Sequence, residues 1–186
     1  MDVKEAISKR RAYRSLSPVE ITPELVDDLS QSASLAASCF NNQPWRYIFV
    51  YEKEILEKMH EALSDGNKWA QKASMIIVVI GEQEDDCVIK DRIYYRFDIG
   101  MATAHMILRA TELGLVAHPI AGYSPKKTRE ILKIPEDIDV ITLVIVGKHS
   151  DKINPDMSDE QIAAEKKRPK RIPIESFVFH NRYMGK

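Results

Sequence analysis

The stretch ATELGLVAHPIAGYSPKKTREILKIPED, Ala110 to Asp137, carries a helix end, an extended segment and a second helix start. Gly114 follows the last turn of a helical pattern and suits the left-handed conformation that caps helices. LVAHPIAGY, Leu115 to Tyr123, reads as a short strand or extended loop, in which Gly122 permits a positive φ or a close backbone approach. Ser124 with Pro125 opens a helix to about Lys133, since Ser can cap and Pro fits the first helical position. Helical and extended segments alternate within one stretch, which excludes an all-helical and an all-strand fold.

Working outward, a long helical pattern runs from about Asp91 to Leu113 through Ile93, Phe97, Met101, Ala104, Leu108 and Thr111, with His105 expected as an ordinary packed histidine on it. DVITLVIVG, Asp139 to Gly147, and SMIIVVIG, Ser74 to Gly81, have no polar alternation and read as strands buried on both faces. RYIFVY, Arg46 to Tyr51, reads as another strand, and EKEILEKMHEALS, Glu52 to Ser64, as a helix. In ITPELVDDLSQSASLA, Thr22 can cap, Pro23 suits the first helical position, and Leu25, Leu29 and Ala33 recur at helical spacing. Val3 to Lys9 is short and amphipathic and ends at RRAYR, with Arg10, Arg11 and Arg14. The sequence thus describes one α+β domain over residues 1–186. From about Lys148 it turns into a basic, proline-interrupted tail ending in aromatic residues, whose composition suits an arm on its own domain as well as one around a second subunit.

Composition narrows the function. A chain of 186 residues with 44% apolar and 30% charged residues can bury a full core, and a net charge of −1 lacks the basic excess that commonly drives nucleic-acid binding. The N-terminus has no apolar stretch of signal-peptide length, and MIIVVIG falls far short of the roughly 18 residues of a membrane span, so a cytoplasmic protein without membrane contact is expected. Cys39 and Cys87 stand far apart in no CxxC pair, so neither a disulfide framework nor a thiolate metal site is expected, in keeping with a reducing compartment. No GxGxxG, P-loop or GxSxG motif occurs, Cys39 shows no local sign of activation, and His60, His105, His118, His149 and His180 lack ligand spacing. Any reaction is therefore expected to be carried by an organic cofactor.

Three segments fit one ligand. RRAYR read alone is a solvated helix end, AASCFNNQPW (Ala36 to Trp45) a turn anchored by Trp45, and HPIAGY a connection. In this order, together with the Ala110–Asp137 stretch and RPKRIPIESFVFHNRY (Arg168 to Tyr183), they resemble the FMN-dependent nitroreductase family over nearly the whole chain. Ala12 stands where that family usually has serine, and Ala37 where it usually has proline.

The resemblance implies a mixed central sheet flanked by helices, C-terminal arms swapped in a homodimer, and FMN at the shared interface. It implies that Arg10 and Arg11, beside Ala12, meet the FMN phosphate with help from Lys170 and Arg171, and that Arg14 points at the flavin pyrimidine edge. Pro119, Ile120, Ala121 and Gly122 would lie beside the ring, with a backbone N–H near Ala121 or Gly122 reaching N5. Ser38, Cys39 and Asn41 would close the site from the partner subunit, and Asn67, just before a buried strand, is a weaker candidate for a flavin contact. The implied activity is ping-pong transfer of hydride from NAD(P)H through the flavin to a nitro compound, quinone or similar small-molecule acceptor. A specialised reductase, such as a dehalogenase or enoyl reductase, and a non-catalytic module with basic binding arms are the competing readings.

Overall fold

A computed structural model describes residues 1–185. Helices α1 (Val3–Lys9), α2 (Pro23–Ser34), α3 (Lys53–Met59), α4 (Tyr95–Glu112), α5 (Pro125–Leu132) and α6 (Asp159–Lys166) surround a sheet of β1 (Leu16–Ser17), β2 (Arg46–Val50), β3 (Met75–Gly81), β6 (Leu115–Ile120) and β7 (Asp139–His149), and β4 (Val88–Ile89) pairs with β5 (Arg92–Ile93) in a separate hairpin. β7 is the spine: β3 and then β1 pair along one edge of it and β6 along the other, while β2 pairs only with β3. Every strand pairing among the described residues is antiparallel.

β3 shows why these residues make a central strand. All its residues are buried, and they alternate between two cores: Ile76, Val78 and Ile80 face Met59, Trp69 and Ile134, while Met75, Ile77 and Val79 face Leu29, Ile99, Ala102 and Met106. Local signals set the helix ends. The side chains of Thr22 and Ser124 accept from Leu25 N–H and Lys127 N–H, and Gly114 takes φ +76° after α4. Among the described residues no helix is long and apolar enough to cross a membrane.

Three expectations change. The sheet-facing stripe of α4 is Tyr95, Ile99, Ala102, Met106 and Ala110, whereas Phe97 is 64% exposed and Ala104 is exposed, leaving a second apolar stripe on the opposite side. His105 lies on that outer side, exposed rather than packed. Cys39 and Cys87 are joined by a disulfide, because the fold brings their Cα atoms to 6.0 Å across 48 residues of sequence, a proximity that sequence spacing does not report.

Residues 150–168 pack on their own chain. Asn154, Met157 and Glu165 are buried there, and Asn154 N–H donates to Ser15 Oγ at 3.1 Å. Beyond them the chain runs out with Ile172, Ile174, Phe177 and Tyr183 exposed.

Candidate functional site

α1 ends at Arg10, and the following residues run extended into β1, with Ser15 and Leu16 buried. Glu165, 6% exposed at the end of α6, holds this turn from beneath by accepting Arg14 N–H at 2.8 Å and Ser15 N–H at 3.0 Å. The carboxylate is therefore committed to backbone donors rather than to a guanidinium. Arg11 is committed as well: its Nη2 donates to the carbonyls of Ala164 and Glu165 at 2.7 and 3.0 Å, satisfying the C-terminal end of α6, and its guanidinium lies over the Tyr13 ring.

Arg10 and Arg14 are not used in this way. With Arg168 and Arg171 they line a hollow of about 150 Å³ that also includes Ala12, Ala164 and Pro169. No carboxylate lies within ion-pair distance of Arg10, Arg14, Arg168 or Arg171 among the described residues. Arg168 is fixed by donating to Ser8 and Arg10 carbonyls at 2.6 and 2.9 Å. Burial, and then the charges of Arg168 and Arg171, work against the protonated form of Arg10, and burial does the same at Arg14 against the opposing pull of Glu165. Arginine does not shed its proton, so the hollow is suited to an anion. Lys170 is exposed and outside the hollow, whereas Arg168, in the same RPKR stretch, is inside it.

The hollow connects to the turn after β6. Arg14 lies over the Trp69 ring at 5.8 Å, and its Nε is buried without a hydrogen-bond partner. Trp69 stacks on His118 at 4.8 Å and donates from Nε1 to Asn67 Oδ1 at 3.0 Å, and Asn67 Nδ2 donates to Gly122 O at 2.9 Å. A Cβ at Gly122 would meet Asn67 Nδ2 and Ser64 Oγ at 2.5 Å each, so the glycine is there for close approach rather than for a positive φ. Ile120 is turned into the core, while Pro119 and Ala121, on the alternate face of the strand, are exposed. His118, 6% exposed and bonded through Nδ1 to Tyr13 O, is pushed down to about 4, by burial first and also by Arg14 and Arg10. It stays neutral beneath the cations.

Ser38, Cys39 and Asn41 lie in a different environment. Ser38 Oγ accepts Gln43 N–H at 3.0 Å, Cys39 N–H donates to Asp98 Oδ2 at 2.6 Å, and Cys39 Sγ bonds Cys87. None of their hydrogen bonds reaches the arginine surface, so one chain does not bring this loop together with the other candidate residues. Arg168, Glu165, Trp69 and Asp98 are the site residues that reading the sequence missed. Only Arg168 carried a signal, its place in the basic tail motif.

The fold and this cation-lined hollow define a family. The nitroreductase family profile matches residues 7–77 and 66–148, and the chain belongs to that family. A protein of Archaeoglobus fulgidus described as an NADH dehydrogenase/NAD(P)H nitroreductase is 32% identical over 163 residues, covering 81% of this chain and 92% of its own. An FMN reductase [NAD(P)H] of Bacillus subtilis is 21% identical over 168 residues, with 81% and 67% covered. The crystal structure of an oxidoreductase containing FMN superimposes with a TM-score of 0.86 at 26% identity, covering 100% of this chain and 95% of that one.

Proposed function

We propose that this chain is an FMN-dependent NAD(P)H oxidoreductase acting as a homodimer on a nitro compound, quinone or related small acceptor. The observation that carries the reading is the hollow of Arg10, Arg168 and Arg171, which holds crowded guanidinium groups, no acid, and space of about 150 Å³ for an anion. FMN fits better than a dinucleotide, because a phosphate-sized cation cluster is present and no glycine loop for a pyrophosphate is encoded. When bound, FMN supplies the hydride chemistry at N5, with NAD(P)H and the acceptor taking turns in a ping-pong cycle.

The chain's own groups hold and orient. Arg10, Arg168 and Arg171 hold the phosphate, with Arg11 and Ala12 shaping its rim. Lys170, exposed beside them, adds long-range positive charge. Arg14, supported on Trp69, would serve the pyrimidine edge, where a cation stabilises negative charge. Asn67 fixes the carbonyl of Gly122 and so presents the backbone of Pro119 to Gly122 to the ring. Ser38, Cys39 and Asn41 are supplied by the second subunit, since in one chain they lie apart from these groups.

Two further features favour the dimer. The outer stripe of α4, with exposed Phe97 and Ala104 beside Met101 and Leu108, is an apolar face without a cover in one chain. The free edge of β2 borders a groove of about 250 Å³ lined by Ile48, Val50, Ile55 and Leu132, which suits the apolar side chains of a partner's arm from residues 169–185.

The test is to purify the chain, release any bound flavin and identify it by mass, and to measure the oligomeric state by light scattering. The expected outcome is FMN in a dimer, with Leu108→Arg producing a monomer that does not retain it. FAD, or a folded monomer that keeps its flavin, refutes the reading.

A further inference from the structure

The bond between Cys39 and Cys87 plays no part in the reading above, and three observations set it apart from a simple surface staple. The loop it holds is strained: Phe40, Asn41 and Gln43 take φ of 48°, 60° and 53° without being glycine. Such values persist where surrounding contacts impose them. Here the contacts are the Cys39 N–H to Asp98 bond, the Gln43 N–H to Ser38 Oγ bond and the disulfide to the foot of the β4–β5 hairpin.

The two sulfurs are also unequal. Cys39 is half-exposed, whereas Cys87 is 9% exposed and its Sγ accepts from Asn42 Nδ2 at 3.4 Å. An incoming thiolate reaches Cys39 first, and Cys87 is a leaving group with a donor already in place. Finally, Asp86 Oδ1 accepts from Asn42 Nδ2 at 3.3 Å, Asp86 Oδ2 is buried without a hydrogen-bond partner among the described residues, and one carboxylate oxygen of Asp86 lies within 4.8 Å of both sulfurs. This carboxylate and the Asn42 amide therefore flank the sulfur that leaves.

We propose that Cys39–Cys87 is a reversible thiol–disulfide exchange site whose state sets how tightly the chain holds its flavin. A thiolate of a dithiol reductant attacks Cys39 Sγ, and the Cys39–Cys87 bond breaks. Cys87 leaves with the electron pair and takes up a proton from solvent. The second sulfur of the reductant, as a thiolate, attacks the mixed disulfide, departs as part of the oxidised reductant, and releases Cys39, which takes up a proton from solvent. One dithiol is oxidised and one protein disulfide reduced. Without the covalent clamp the left-handed residues relax and Ser38, Cys39 and Asn41 lose their placement. The link to flavin rests on the proposed function, whereas the exchange itself does not. By reciprocity, if the oxidised chain binds FMN more tightly, FMN makes the disulfide harder to reduce by the same factor.

The experiment equilibrates the full chain in glutathione redox buffers with and without FMN, traps free thiols by alkylation and counts them by mass. FMN affinity and amide exchange at Cys39, Asn41, Asn42 and Gln43 are then compared in oxidised and dithiothreitol-reduced protein. We expect a reversible two-thiol titration, FMN binding weaker by about tenfold on reduction as preorganisation is lost, and a matching tenfold shift of the titration when FMN is present. The four amides lose protection together. The Cys39→Ser, Cys87→Ser double variant should bind FMN like the reduced chain and ignore dithiothreitol. A disulfide that stays closed throughout, or opens without changing either FMN affinity or loop exchange, overturns the proposal. Absence of FMN binding in both states instead defeats the flavin reading, and the thiol titration with the four amides still decides the exchange.

Discussion

Like charges are crowded in two parts of this molecule, and the two parts relieve the crowding differently. Around Arg10, guanidinium groups share a hollow without an acid, and none of them gives up its proton. Around Asp98, a carboxyl group that is 2% exposed faces Asp86. Its pKa is pushed up, by burial first and by Asp86 as well, against the pull of Cys39 N–H. A carboxyl group can answer such crowding by taking up a proton, whereas an arginine stays charged until an anion arrives. The kind of charge therefore decides whether crowding can be relieved by titration or calls for a ligand, even where the crowding looks alike.

The largest effect is expected on the cation side from its one buried acid. Glu165→Ala leaves the N–H groups of Arg14 and Ser15 without an acceptor and should cost about 3 kcal/mol in urea unfolding. A loss below about 0.5 kcal/mol would mean that the arginine loop does not depend on this carboxylate.

Next come the ligand contacts. Arg10→Ala and Arg168→Ala each remove a charge-assisted contact worth about 1.5–3 kcal/mol, so FMN affinity should fall by one to two orders of magnitude in titrations of the apo-protein. Arg14→Ala should change affinity less and instead lower the flavin midpoint potential and slow reduction by NAD(P)H. Equal behaviour of Arg10 and Arg14 variants would erase the division of labour assigned to them.

His118 gives the cation side its pH dependence. Its native value of about 4 lies below the usual 6.5, so the unfolded chain takes up the proton first and stability falls as pH drops from about 6.5 towards 4. At about pH 5 the loss is about 2 kcal/mol, and His118→Phe, which keeps an aromatic ring against Trp69, should flatten that part of the curve.

Asp98 gives the opposite slope and the smallest change. Its native value is raised above 3.8, so the native state keeps a proton that the unfolded chain has released, and its contribution falls as pH rises through that window. Asp98→Asn can still accept from Cys39 N–H and can donate to the unpartnered Asp86 Oδ2, so it should stabilise the protein by about 1 kcal/mol at neutral pH and by nothing in acid. Destabilisation at neutral pH would show that burying the Asp98 carboxylate carries no net cost.

Legibility followed the range of the physics. The caps at Thr22, Ser124 and Gly114 and the unbroken apolar run of β3 are local signals, and the elements formed where those signals stand. α4 was harder to read because it carries two apolar stripes: the periodicity of Phe97, Met101, Ala104 and Leu108 is real, yet the sheet takes Tyr95, Ile99, Ala102 and Met106. Helical spacing marks an apolar face but does not say whether it packs against the chain's own sheet. Lys170 and Arg168 look equivalent as basic residues of one motif, and contacts with the carbonyls of Ser8 and Arg10, far away in sequence, hold Arg168 in the hollow.

Residue order by itself thus determined the α+β class, the places of the main helices and strands, and the motifs that mark the nitroreductase family, because these depend on neighbours within a few turns of chain. Only the tertiary structure decided which arginines of the described residues remain without an acidic partner, that Glu165 lies beneath them, and that Cys39 meets Cys87 beside two carboxyl groups. Those outcomes depend on contacts between residues dozens to more than a hundred positions apart, which form when sheet and helices bury their apolar faces together and leave no trace in local pattern or spacing.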